Sequence, residues 1–242
     1  MDVATRLDNL RERIATACQR VGRDPASVTL LAVSKGQPPA VIQSAARAGL
    51  TLFGENRVQE AKAKIGQCPG RLHWHLIGHL QTNKARDAVH FFDLIQSLDS
   101  LHVAQELEKW AARAAKTLPV LLEVNVAGEA SKHGYAPADL LTALPAINAL
   151  PHLAIHGLMT LAPWSPDPER ARPVFRRLRA LKGESEAILG APLPHLSMGM
   201  SGDFETAIEE GATLIRIGTA LFGERPTAPR EPRPEPTPGP DG

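Results

Sequence analysis

The run VTLLAVSKG, residues 28–36, decides the fold: a solidly apolar stretch ends abruptly on an amine, Lys35. An apolar run of this length between polar residues reads as a strand buried on both faces, the kind found in parallel α/β sheets. Chemistry in such sheets sits at the carboxyl ends of the strands, and in an α/β barrel the site is assembled at the C-terminal rim. Lys35, closing the first strand, therefore falls where a ligand would bind. The plainer alternative is a lysine that snorkels from a strand end into solvent.

Outward from this run the chain repeats one pattern. Leu7, Leu10, Ile14, Ala17 or Cys18, and Val21 fall at helical spacing and Gly22 suits a C-cap, so an amphipathic helix precedes the first strand, placed to close the barrel from the side. After Lys35, Pro38 and Pro39 open a helix that ends at Gly49. TLFGENRVQE then gives a short strand, a Gly-Glu-Asn loop and a helix through Lys64. The third strand runs from Leu72 to Ile77 and gives way at Gly78 to a polar segment. FFDLIQSLDS is a fourth strand, followed by the helix HVAQELEKWAARAAK. LPVLLEVNV is a fifth, followed by the loop GEASKHGY and a helix near PADLLTALPAIN. LAIHGLMTL is a sixth, followed by the turn APWSPDP and a long helix from about Glu169 to Leu189. HLSMGMSGDFETAIEEG and ATLIRIGTALFGER supply the last two strands, each entering a helix.

Eight strands alternating with helices predict parallel βα units closed as a (β/α)8 TIM barrel over residues 1–225. An open doubly wound sheet would carry a Gly-rich phosphate fingerprint after its first strand, and VSKGQPP has none. Residues 226–242 hold seven prolines and no aliphatic side chain larger than alanine, which predicts a solvated, disordered tail.

The 242 residues suffice for one such barrel and leave no room for a second domain of useful size. A net charge of +1 with 22% charged residues describes an ordinary surface without the basic excess of a nucleic-acid binder. Cys18 and Cys68 make neither a metal nor a redox spacing and read as reduced thiols of a cytoplasmic protein. The charged, amphipathic start MDVATRLDNLRERI has no apolar signal core, and no run approaches a membrane span. Nucleic-acid partners, secretion and membrane insertion are all disfavoured.

Two turns near the end of the chain carry the chemistry. In SMGMSGDF, Gly199, Ser201 and Gly202 lie between a strand and a helix start near Asp203; in IRIGTALFG, Gly218 and Thr219 do the same after the eighth strand. Backbone N–H groups and hydroxyls there suit a phosphate, which in these barrels often sits between the loops after strands seven and eight. The plainer reading is helix caps. A lysine on strand one facing such a cradle is the arrangement a pyridoxal 5′-phosphate Schiff base needs, because a buried amine of depressed pKa is nucleophilic. Along the eighth strand Arg216 shares a face with Leu214 and Gly218, so its guanidinium can reach the mouth. An arginine facing the pyridine nitrogen would leave the ring unprotonated, a weaker electron sink, which disfavours transamination.

AVSKGQP, FGENRVQE, WHLIGHLQTNK, LIQSLDS, VNVAGEASKHG, GLMTL, LSMGMSGDF and IRIGTALFGER, in that order, resemble the pyridoxal phosphate homeostasis protein family over about residues 28–225. The resemblance implies a fold-type III pyridoxal phosphate barrel, like the N-terminal domain of alanine racemase without that enzyme's additional β domain. It implies Lys35 as the Schiff-base lysine, Ser201, Gly202, Gly218 and Thr219 near the phosphate, and Arg216 near the pyridine nitrogen, together with Asn56 and Met200 at the cofactor. It also implies a protein of vitamin B6 homeostasis that holds and buffers or delivers the cofactor without accepted turnover, with apo-enzymes as recipients. A monomer is expected, since the domain through which the racemases dimerise is missing. The alternative is a small amino-acid racemase, which needs a second base opposite the lysine. The only tyrosine, Tyr135, follows strand five and is a poor base unless its pKa is lowered.

Other constellations read more plainly. His73, His75 and His79 in HWHLIGH have metal-ligand spacing, but no acidic or histidine cluster in the later strands completes a site, so no metal is expected and they read as barrel-lining polar groups. Lys84 in QTNK and Lys132 with His133 in SKHG read as solvated loop residues. Lys132 is the better placed for a second role at the cofactor, because its loop opens on the rim that carries Lys35. Met198 and Met200 read as packing residues.

Overall fold

A computed structural model describes residues 2–68, 70–129 and 131–224. Eight parallel strands close into a barrel in sequence order: β1 (Thr29–Val33), β2 (Leu52–Glu55), β3 (His73–Leu76), β4 (Leu94–Leu98), β5 (Leu118–Glu123), β6 (Leu153–Met159), β7 (His195–Ser197) and β8 (Leu214–Ile217). Closure is made by β1 on β8, with Thr29 opposite Leu214 and Ala32 opposite Ile217. The helices are α1 (Val3–Arg20), α2 (Pro39–Arg47), α3 (Val58–Ile65), α4 (Ala85–Phe91), α5 (Leu101–Arg113), α6 (Pro137–Asn148), α7 (Arg172–Leu189), α8 (Phe204–Glu209) and α9 (Thr219–Phe222). The predicted alternation is the observed one. The expected tail over 226–242 lies outside the described residues.

Local chemistry sets the ends of these elements. Asp2 caps α1 by accepting the Thr5 N–H at 2.8 Å, and Leu7, Leu10, Ile14, Ala17 and Cys18 form its buried stripe. That stripe lies across α8 and α9, the seam where the last unit meets the first. Arg13 to Glu205 (2.6 Å) and Arg20 to Glu209 (2.8 Å) rim the contact. One reading needs correction. The polar segment after Gly78 is a 3₁₀ turn over Thr82–Lys84 running into α4, so the fourth strand starts at Leu94 and not at Phe91. Only Ala85, Ala88 and Val89 are buried on that short helix, too few apolar positions to show a helical period in the sequence.

Strand alternation divides the core into two layers. Along β5, Leu118, Val120 and Leu122 join the large core beneath the helices. Leu121 faces the barrel axis with Leu94, Met159 and Leu214. Two residues further along their strands, Gln96, Glu123 and Arg216 are buried too, so the barrel interior turns polar just below its mouth.

Candidate functional site

Lys35 stands two residues beyond Val33 in a tight turn, closed by the Gln37 N–H donating to Ser34 O at 3.0 Å. Gly36 takes φ +73°, a left-handed conformation that glycine adopts without penalty. Lys35 is half-buried. Gly218 lies against Val33, so that a Cβ on it would sit 3.6 Å from Val33 Cβ. The turn after β8 is thus a direct neighbour of the Lys35 turn.

The turn after β7 is tied to β8 and to the turn that follows it. Arg216 N–H donates to Gly199 O at 3.0 Å, and Ala220 N–H donates to Ser201 Oγ at 3.2 Å. Asp203 Oδ1 accepts the Met200 N–H at 2.6 Å, which folds the turn back on itself. Gly199 is required here: φ is +92°, and a Cβ would come within 2.5 Å of Ala207 Cβ and 3.0 Å of Phe204 Cα. Among the described residues the amides of Ser201 and Gly202 donate to no protein acceptor, and a Cβ on Gly202 would meet nothing within 4 Å. Open backbone donors beside an exposed Thr219 hydroxyl form a concavity that suits an anion. The four residues read from sequence as lying near a phosphate, Ser201, Gly202, Gly218 and Thr219, thus sit on two bonded turns, one of which packs on the strand that leads to Lys35.

Below them runs a buried polar network that the sequence reading missed apart from Arg216 and His75. The Arg216 guanidinium donates from Nη1 to Ser197 Oγ (2.6 Å) and from Nη2 to Thr160 O (2.7 Å). Ser197 Oγ donates to Gln96 Oε1 at 2.6 Å, and Gln96 Nε2 meets His75 Nδ1 at 2.9 Å. Burial lowers the Arg216 pKa to about 10, against the opposing charges of Asp203 and Glu123, so the cation persists at neutral pH. Burial, and then the Asp99 charge, push Glu123 up to about 7, while Arg216 and His79 pull it down. Burial holds His75 neutral, with a pKa lowered to about 4. The signal for these groups was available: a polar residue at an inward position of an apolar strand is a lining residue.

Asn56 sits apart, on the turn after β2, its backbone pressed against Gly78, where a Cβ would come 2.4 Å from Asn56 O. It lines a cavity of about 380 Å³ with His79 and Lys84, and that cavity does not include Lys35. Met200 is half-buried and Met198 fully buried, as packing residues would be.

The HWHLIGH histidines separate. His73 is exposed beside Asp93 (3.7 Å), His75 lines the barrel, and His79 reaches the rim. There the sequence reading is corrected, since Asp99 and His133 do join His79: Asp99 Oδ2 lies 2.8 Å from His79 Nδ1 and 3.9 Å from His133 Nδ1. The two rings stack at 3.8 Å and 10°, and one possible ligand atom from each of the three residues lies within 4.8 Å of the others. Lys132 is also less solvated than expected, donating to Glu129 Oε1 (2.9 Å) and Leu161 O (3.2 Å). Tyr135 is buried with its hydroxyl lacking a partner among the described residues, and burial followed by the Asp99 charge drives its pKa well above the usual phenol value.

Residues 5–226 match the family described as alanine racemase, N-terminal domain. The pyridoxal phosphate homeostasis protein of Aquifex aeolicus is 46% identical over 226 residues, covering 93% of this chain and 99% of that protein. That of Pseudomonas aeruginosa is 46% identical over 228 residues, covering 92% and 96%. PipY of Synechococcus elongatus, solved with PLP bound, superposes with a TM-score of 0.81 at 40% identity, over 92% of this chain and all of PipY. Alanine racemase from Bartonella henselae, at 17% identity and a TM-score of 0.69, shares the fold over 94% of this chain and 62% of its own length. Among the described residues no helix is long and apolar enough to cross a membrane. The barrel, the motif order and these identities together make the chain a member of the pyridoxal phosphate homeostasis protein family, built on the alanine racemase N-terminal fold.

Proposed function

We propose that the barrel mouth binds pyridoxal 5′-phosphate and that the protein holds the cofactor in reserve as part of vitamin B6 homeostasis, without turning over a substrate. The observation that carries this reading is a chain of neighbouring turns, Gly218 against Val33 at the end of the Lys35 strand and Ser201 bonded to Ala220, with the Ser201 and Gly202 amides open. When bound, the cofactor supplies an aldehyde that condenses with an amine. Lys35 is the amine, the Ser201 and Gly202 amides with Gly218 and Thr219 would take the phosphate, and Arg216 would stand near the pyridine nitrogen. Asn56 and Met200 are the weaker members of this cofactor-binding set, Asn56 standing in a neighbouring cavity. The PLP-bound relative PipY supports the assignment.

The racemase alternative needs a second base. Tyr135 does not suit that task, because its hydroxyl is buried and its proton is held tightly. Only three large apolar side chains are exposed among the described residues, Val21, Trp164 and Ile188, which favours a monomer. A cytoplasmic barrel that passes its cofactor to apo-enzymes fits this surface. The purified protein is expected to be yellow, and Lys35→Ala to lose the visible band on titration with pyridoxal 5′-phosphate. An unchanged spectrum in that variant overturns the reading, as does racemisation of any common L-amino acid by the wild type.

A further inference from the structure

The Lys35 turn is held by a cluster drawn from β2 and α3. Lys64, near the end of α3, is only 7% exposed, and its ammonium donates in three directions: to Ser34 O at 2.9 Å, to Glu55 Oε1 at 3.0 Å and to Glu60 Oε1 at 2.5 Å. The two carboxylates reach the same turn. Glu55 Oε1 accepts the Ser34 hydroxyl at 2.6 Å, and Glu60 Oε1 accepts the Gly36 N–H at 2.5 Å. The residue before Lys35 and the residue after it thus both end on one ion cluster drawn from β2 and α3.

Such a cluster is a poor way to gain stability. Three charges lose most of their water, and buried ion pairs commonly return no more than they cost. The desolvation here is incompletely compensated, since Glu55 Oε2 is buried with no partner among the described residues. What the arrangement does provide is geometry. Charge-assisted hydrogen bonds are short and directional, and three of them converge on a turn of four residues, with a fourth joining Lys64 to Glu55. An amine held in one place reacts with a bound aldehyde faster and more completely than one on a loose turn.

We propose that Glu60 and Lys64, with Glu55, are positioning residues that clamp the backbone on both sides of Lys35 and so fix where its amine stands at the barrel mouth. The inference rests on Lys35 being the lysine that takes the aldehyde. The three act through the turn.

The test uses the full chain, stripped of bound cofactor and titrated with pyridoxal 5′-phosphate, with Schiff-base absorbance and amide hydrogen exchange of residues 34–37 as readouts. Glu60→Ala removes the acceptor of the Gly36 N–H. It is expected to weaken cofactor binding about tenfold, the value of one charge-assisted bond, and to speed exchange in the turn. Glu60→Gln keeps an acceptor oxygen and is expected to restore affinity to within about threefold of wild type. Lys64→Met is expected to weaken binding at least as much as Glu60→Ala. If circular dichroism shows that it does not fold, the Glu60 pair decides alone. Wild-type affinity and exchange in Glu60→Ala overturn the inference and leave Lys35 untouched. Equal losses in Glu60→Ala and Glu60→Gln overturn it as well, because charge and not a held turn would then be responsible. A wild type without Schiff-base absorbance, or a Lys35→Ala variant that retains it, overturns the Lys35 reading and this inference together.

Discussion

The Ser197 hydroxyl accepts from the Arg216 guanidinium and donates to Gln96 Oε1, both at 2.6 Å, so one small side chain on β7 links a cation on β8 to an amide on β4 across the barrel. The network it joins is the floor of the mouth. A floor of this kind fixes the orientation of Arg216 before any ligand arrives, since both terminal nitrogens are already committed to Ser197 and Thr160.

Ser197→Ala leaves a buried Arg216 N–H and the Gln96 oxygen without their partner. Unfolding in urea is expected to show a loss of about 1–3 kcal/mol, the cost of stranding buried polar groups. A change below about 0.5 kcal/mol, the range of ordinary surface substitutions, would mean that the network rearranges freely.

His75 and Glu123 give opposite pH slopes. His75 falls from 6.5 to about 4 on folding, so its contribution to stability is complete above pH 6.5 and is lost as pH falls toward 4. Glu123 rises from 4.5 to about 7, so its contribution is complete below pH 4.5 and is lost as pH rises toward 7. Each is worth up to about 3 kcal/mol by linkage, and in wild type the two largely cancel between pH 4.5 and 6.5. Denaturation across this range is expected to show stability falling with acid in Glu123→Gln and rising with acid in His75→Gln. Parallel slopes in the two variants would contradict the burial assigned to these side chains.

Gly199→Ala combines a left-handed backbone with overlap against Ala207 and Phe204. The expected cost is at least about 2 kcal/mol, with loss of cofactor binding from displacement of the Ser201 turn. Thermal unfolding and a pyridoxal 5′-phosphate titration check both parts. Intact binding would separate the turn from the site.

Tyr135→Phe removes a buried hydroxyl that has no partner among the described residues. Stability is expected to stay level or rise by about 1 kcal/mol, and the Schiff-base spectrum to be unchanged. A marked loss of cofactor binding would give the hydroxyl a role that its burial argues against.

The sequence by itself determined the barrel, because eight apolar runs of strand length alternate with helical stripes and each run needs two covered faces. It also marked Lys35, since an amine at the end of a buried strand can only stand at the rim, and it put Arg216 on the inner face by alternation. Only the tertiary structure decided who meets whom. Gln96 and Ser197 are 101 positions apart, Asp99 and His133 reach His79 from separate loops, and Lys64 read in sequence only as the end of a helix. The reason is closure. Curling the sheet until β1 lies on β8 brings inward side chains from distant strands within hydrogen-bond reach, and local periodicity carries no information about distances across a barrel.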